Sequence, residues 1–313
     1  MTRTFDEIEL AIDQLVSPFP QVVSCQARLR RLVRQPQRES EPSVILLIGE
    51  SGVGKTKMLQ MTASEFPRTE HDEFTEIPVL YVRVPANCTY SNLIMRMLRS
   101  FGTPLVATGP DRERMRQIKT LIKHCGVRLI VFDDANQMVD RGRSKSHYLL
   151  GDWVREIADE TRAHVVLAGV PRLWRMIETN EQLRSRVSQQ IVVEPFAANA
   201  DTANPISVAL RAFDKCLDGV LRISLTTEIA CRRFSFATAG RLRSLRIILV
   251  NAAEIAFEAP KPQIDFEVLG KAFERAMFPG VPAERNPFSP KFSGLPLTGR
   301  GEPFDPRSGA FDD

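Results

Sequence analysis

The chain has 313 residues, 43% of them hydrophobic and 26% charged, with a formal net charge of +4 at pH 7. That balance allows a sizeable core and excludes wholesale disorder. Apolar runs such as Val44–Ile48 are far shorter than the ~18 residues a bilayer span needs, and the Met1–Glu7 start carries no secretion signal, so no membrane partner is expected and a cytoplasmic location is.

Residues 1–42 read as a helical lead-in. Phe5–Val16 has helical apolar spacing and Ala27–Arg34 is basic and amphipathic, before Pro36 and Pro42 break the chain. Residues 43–198 form the first predicted domain. Strands are expected at Val44–Ile48, Val79–Val84, Leu129–Phe132, His164–Ala168 and Gln190–Val193, with helical patterns at 55–66, 90–101, 111–125, 147–160 and 171–178. Near-continuous Val/Ile/Leu strands alternating with helices predict an α/β fold, a parallel five-stranded sheet with helices on both faces. Residues 199–278 show only helical periodicity, at 205–217, 226–235, 239–257 and 265–277, and predict a small all-helical lid domain. Residues 279–313 hold seven Pro and five Gly and predict a mostly extended or disordered tail.

Cations are supplied by 33 Arg and only 9 Lys, a bias that suits planar, bidentate contacts to phosphate or carboxylate. The five cysteines and four histidines are scattered, with neither disulfide nor zinc-ligand spacing.

The strongest motif is Gly49-Glu50-Ser51-Gly52-Val53-Gly54-Lys55-Thr56, which matches G-x-x-x-x-G-K-[ST] between a predicted strand and a predicted helix. Glycines let the backbone wrap closely around phosphates, and the helix N-terminus adds a favourable dipole. Lys55 is expected to reach the β- and γ-phosphates of ATP, and Thr56 to ligate Mg²⁺. Arg128-Leu-Ile-Val-Phe-Asp133-Asp134 reads as a buried strand with carboxylates at its C-terminal edge, where parallel sheets bind ligands. Asp133 is expected in the Mg²⁺ coordination shell, and Asp134 where P-loop ATPases usually carry a water-polarising glutamate. A third strand ends Ala168-Gly169-Val170 and offers no polar sensor of the γ-phosphate.

Two further arginine sites follow. In Glu181-Gln-Leu-Arg184-Ser-Arg186 an arginine can reach a neighbouring subunit's γ-phosphate, with Arg186 the first choice and Arg184 the second. Arg243, at the start of the long lid helix, can contact bound nucleotide. Basic clusters at Arg112, Arg114, Arg116, Lys119 and Lys123, and at Arg141, Arg143 and Lys145, are candidates for tracking a duplex backbone.

This ordered set resembles AAA+ ATPases of the initiator type. More narrowly, Gly169-Val-Pro followed by Gln182-Leu-Arg-Ser-Arg186, and the tail segment Glu284-Arg-Asn-Pro-Phe288, resemble the TniB/TnsC family of transposition ATPases. The resemblance implies a bacterial protein that binds ATP and Mg²⁺ and forms a homo-oligomer, ring or filament, on duplex DNA. It also implies a transposase partner and a TniQ-like target-selection protein. Asp134 stands where the family often has Glu, so slow hydrolysis and a switch-like role are expected. The alternative is a loader or remodelling ATPase of DNA replication or repair. A metabolic P-loop kinase would need no neighbour-facing arginine.

Overall fold

The structure is a computed structural model that describes residues 3–15, 20–35, 42–102, 109–140, 144–196 and 205–306. Arg141, Arg143, the Lys145 side chain and the tail beyond 306 lie outside the described residues. The chain divides into two units. One comprises Gln21–Ser51 and Lys55–Val193; the other comprises Met1–Pro20, Gly52–Gly54 and Glu194–Asp313.

The first unit is built on a five-stranded parallel sheet. In chain order its strands and the intervening short hairpin are β1 (Val44–Ile48), β2 (Thr69–Glu70), β3 (Thr75–Glu76), β4 (Val79–Arg83), β5 (Leu129–Asp133), β6 (His164–Gly169) and β7 (Val187–Val192). The sheet order is β4-β5-β6-β1-β7, and every pairing in it is parallel. The three inner strands are buried at every residue, as apolar runs covered on both faces must be. The edge strand β7 alternates partly buried and exposed positions. It starts three residues earlier than expected, because an edge strand tolerates the polar run Ser188-Gln-Gln that an apolar-run criterion rejects. The antiparallel β2–β3 hairpin was not expected; it is two residues per strand and carries no apolar signal.

Five helices answer to the predicted pattern, and two short ones, at Gln137–Asp140 and Glu181–Arg186, were not among the predicted patterns. In chain order the helices are α3 (Lys55–Ser64), α4 (Tyr90–Ser100), α5 (Asp111–His124), the short α6 (Gln137–Asp140), α7 (Ser144–Thr161), α8 (Trp174–Glu178) and α9 (Glu181–Arg186). Phe101, Phe132 and Trp153 anchor the core, with Met97, Ile118 and Ile157 fully enclosed.

The predicted lead-in divides between the units. In α1 (Phe5–Gln14), Ile8 and Ile12 are buried, Phe5 meets Phe257 edge-on at 6.3 Å, and Asp13 pairs with Arg246. In α2 (Pro20–Arg34), Cys25, Leu29 and Val33 are buried within the sheet unit, where Arg30 grips Glu65 with two hydrogen bonds of 2.5 and 2.6 Å. The two apolar stripes thus serve two different cores.

The second unit continues with α10 (Pro205–Cys216), α11 (Glu228–Thr238), α12 (Leu242–Phe257) and α13 (Phe266–Ala276). Thr227 and Asp265 cap α11 and α13 through their side-chain oxygens. A left-handed pair, Ala239 at φ 45° and Gly240 at φ 71°, separates α11 from α12. A Cβ on residue 240 would lie 2.2 Å from the Phe196 carbonyl oxygen, so only glycine fits.

The expectation for the tail is corrected over residues 279–306. This stretch forms no helix or strand, yet Phe288, Leu297 and Phe304 are buried. Proline-rich sequence rules out regular backbone ladders but not apolar burial, and turns such as Asn286 N–H to Pro282 O (3.0 Å) satisfy the backbone.

Candidate nucleotide-binding site

The site begins where β1 ends. Gly49 N–H donates to Gly169 O at 3.1 Å, which fixes the loop's departure from the sheet. Gly52 (φ 86°) and Gly54 (φ 101°) turn the chain in left-handed conformations. Helix α3 then opens at Lys55, with Thr56 in its first turn. The Lys55 ammonium folds back over the loop and donates to Gly49 O (2.6 Å) and Glu50 O (2.8 Å). Gly52 O accepts from Arg243 N–H at 3.1 Å, and a Cβ on Gly54 would meet Leu242 Cδ1 at 3.2 Å. The start of α12 is therefore anchored to Gly52 by its backbone.

Asp133 lies at the C-terminal end of β5 and is 1% exposed. Its carboxylate accepts from Tyr81 Oη (2.6 Å) and from Asp134 N–H (3.0 Å). Burial, then the bond to Asp133, pushes the Tyr81 phenol well above its usual range, so Tyr81 stays a donor across physiological pH. Asp134 sits at φ 56°, and its Oδ2 accepts from Arg83 Nε at 3.0 Å. That hydrogen bond is the main cause holding the Arg83 guanidinium above its usual value.

Tyr81 and Arg83 were not anticipated. Both belong to β4, and the parallel register places Tyr81 opposite Val131 and Arg83 opposite Asp133. Sequence spacing carries no register, so the only available signal was a polar residue near the end of an apolar strand.

The end of β6 lacks a polar side chain, in line with the sequence. The space beside it holds Asn136: a Cβ on Gly169 would lie 3.0 Å from Asn136 N. The Asn136 amide donates to Asp140 Oδ2 (2.9 Å), which also accepts from Arg172 (2.8 Å).

The arginines of α9 differ. Arg186 Nε lies 2.8 Å from Asp159 Oδ1 without hydrogen-bond alignment, and its Nη2 donates to Oδ2 at 3.4 Å. Arg184 lines a recess with Trp174, Ile177, Glu178 and Val187, and among the described residues its side chain has no hydrogen-bond or ion-pair partner. Of the helix α5 cations, Lys119 is taken up by Glu156 and Glu160 and Arg114 by Asp111, while Arg112, Arg116 and Lys123 are exposed.

The donor set suits a nucleoside triphosphate with Mg²⁺. A loop turned by two left-handed glycines ends in an ammonium and a helix start, and a buried carboxylate stands at the same edge of the sheet. Among the described residues no helix is long and apolar enough to cross a membrane.

Comparison with known proteins gives the fold and the family. The chain is 25% identical over 242 residues to the ORC1-type DNA replication protein 1 of Methanosarcina mazei, covering 76% of this chain and 56% of that protein. It is 24% identical over 256 residues to the protein of the same name from Archaeoglobus fulgidus, covering 79% and 59%. The chain thus spans less than two thirds of the length of these relatives. Among solved structures, Cdc6p from Pyrobaculum aerophilum superposes with a TM-score of 0.66 at 17% identity, covering 92% of this chain and 74% of that one. The Aeropyrum pernix ORC1 protein, solved in complex with DNA, gives 0.61 at 19% identity, covering 86% and 69%. Both likenesses show the fold, a parallel five-stranded sheet with helices followed by a helical region. The model of the bacterial TniB protein matches residues 9–196, more than half of the sequence, and the chain belongs to the TniB family.

Proposed function

We infer that this protein is an ATP-dependent, DNA-binding regulator of transposition that assembles on duplex target DNA and recruits or activates a transposase. The observation that carries the nucleotide part is the Gly49–Thr56 loop, with Lys55 turned over its carbonyls and Asp133 buried at the adjacent strand end. In this reading the loop N–H groups and Lys55 bind the phosphates, while Thr56 and Asp133 hold Mg²⁺. A single carboxylate suffices, because Mg²⁺ in such sites keeps waters and takes its other ligands from phosphate. The bound metal–nucleotide supplies the charge that a neighbouring subunit can sense.

In this reading Asp134 orients the attacking water, and Arg83 holds its carboxylate. An aspartate is one methylene shorter than the glutamate usual at this position, and its carboxylate is engaged by Arg83, which supports slow turnover and a switch-like role. For the arginine that reads the γ-phosphate from the next subunit, the structure favours Arg184, since Arg186 is engaged by Asp159 in its own chain. Arg243, whose backbone N–H donates to Gly52 O, is the further candidate arginine for a nucleotide contact.

TniB membership supports transposition over the second reading, a loader or remodelling ATPase in DNA replication, which the ORC1-type relatives favour. Electron microscopy of the protein with duplex DNA, with and without ATP, separates them. Extended ATP-dependent assemblies on DNA of arbitrary sequence support the regulator, whereas a single particle at one preferred site supports the loader.

A further inference from the structure

The proline-rich tail does more than fill space. Its first anchor is Asn286, whose amide donates to Gly270 O at 3.0 Å and whose Oδ1 accepts Phe288 N–H at 3.0 Å. Phe288 then enters the helical core, 4.9 Å edge-on from Phe234. The stretch 285–302 closes on itself: Arg285 forks onto Glu302 at 2.6 and 2.7 Å and also donates to Pro296 O at 2.7 Å. This pair is mostly buried, with side-chain exposures of 22% and 13%. Glu302 further accepts Gly299 N–H at 2.7 Å, so both carboxylate oxygens are committed. The closed loop delivers Phe304, 8% exposed, with its N–H on Leu297 O at 3.1 Å.

Phe304 presents its ring to one residue of consequence. The guanidinium carbon of Arg241 lies 4.9 Å from the ring centroid. Arg241 is the residue immediately before α12, and its carbonyl accepts Leu245 N–H at 3.1 Å. Two residues on, Arg243 N–H holds the carbonyl of Gly52 at 3.1 Å. A cation over an aromatic face in a shielded setting resists displacement more than a solvated arginine does. The tail therefore immobilises the first turn of the helix that holds the phosphate loop.

The geometry points to Phe304 as a positioning residue for nucleotide binding, acting through Arg241 and the Arg243–Gly52 hydrogen bond, with the Arg285–Glu302 fork setting the ring in place. This rests on the reading of Gly49–Thr56 as the phosphate loop. The test is titration of the full chain with a fluorescent ATP analogue and Mg²⁺, alongside the melting temperature of each nucleotide-free variant. F304A and F304L should bind about three- to tenfold more weakly, since each removes the ring face. F304Y should restore wild-type affinity, and F304L should melt within about 3 °C of wild type. Wild-type affinity in folded F304A overturns the inference. If F304A does not fold, wild-type affinity in F304L overturns it equally, and so does F304Y binding as weakly as F304L. K55A reports on the underlying reading: unchanged affinity there sinks the phosphate-loop assignment and the role of Phe304 with it. Loss in K55A with no change in F304A or F304L sinks the role of Phe304 alone.

Discussion

At the scale of single residues, the site divides into groups that bind charge and groups that hold those groups still. Lys55 is the principal cation of its loop, so Lys55→Ala should abolish ATP binding in a protein that still folds, as read by equilibrium titration. Asp134→Asn should leave ATP affinity intact and lower turnover by about tenfold or more, because positioned general bases contribute roughly 10²-fold upward. An unchanged turnover rate would move that task to another side chain. A third residue reports on acid stability. Burial pushes His164 below its usual 6.5, and the Ser43 hydroxyl lies 2.9 Å from its Nδ1. The unfolded chain takes up this proton before the folded one does. The contribution is therefore fully present above about pH 6.5 and lost as pH falls through the depressed folded value. A melting-temperature series in acid should show a flatter decline for His164→Asn than for wild type.

At the scale of elements, the α11–α12 junction is the least replaceable connection. Gly240→Ala meets a backbone oxygen rather than a yielding side chain, on top of a left-handed conformation that costs about 1–2 kcal/mol. Thermal unfolding should show a loss well above that of Thr227→Ala, which removes only an N-cap worth roughly 1 kcal/mol. Elements also show what a sequence can and cannot disclose. The Gly49–Thr56 turn between β1 and α3 was legible because strand, glycines, lysine and helix are consecutive. Asp133 was legible because four apolar residues precede it. Tyr81 and Arg83 were not, since they reach the acids only through the β4–β5 register, about 50 positions away in the chain. The tail was misjudged because Pro and Gly content reports on backbone regularity, whereas Phe288, Leu297 and Phe304 report on burial. Arg184 and Arg186 are two positions apart, and the sequence, which put Arg186 first, carries no sign that Asp159 engages it.

At the scale of the whole molecule, the proposed function requires copies to meet on DNA. If a γ-phosphate forms part of the contact between subunits, removing its partner leaves an uncompensated charge at a partly dry boundary, which is costly. Arg184→Ala should then lose ATP-dependent sedimentation with duplex DNA while the monomer still binds ATP. Arg186→Ala should retain assembly, because it gives up only a surface pair worth up to about 1 kcal/mol. The reverse pattern would return the role to Arg186. DNA binding itself should weaken steeply with salt and vary little with sequence, as contacts to phosphates release counterions.

The left-handed backbone at Asp134 bears on why an aspartate stands there at all. Short polar side chains tolerate φ near 56° far better than longer ones do. A glutamate, the residue often found at this position in the resembling ATPases, would add backbone strain and carry its carboxylate a methylene past Arg83 Nε. Lengthening the acid is thus no restoration. Asp134→Glu should melt lower, by the equivalent of about 1 kcal/mol, and hydrolyse ATP no faster. On the proposed reading, slow turnover is set by the backbone dihedral as well as by the side chain, and quickening it would require changing residues 83 and 134 together.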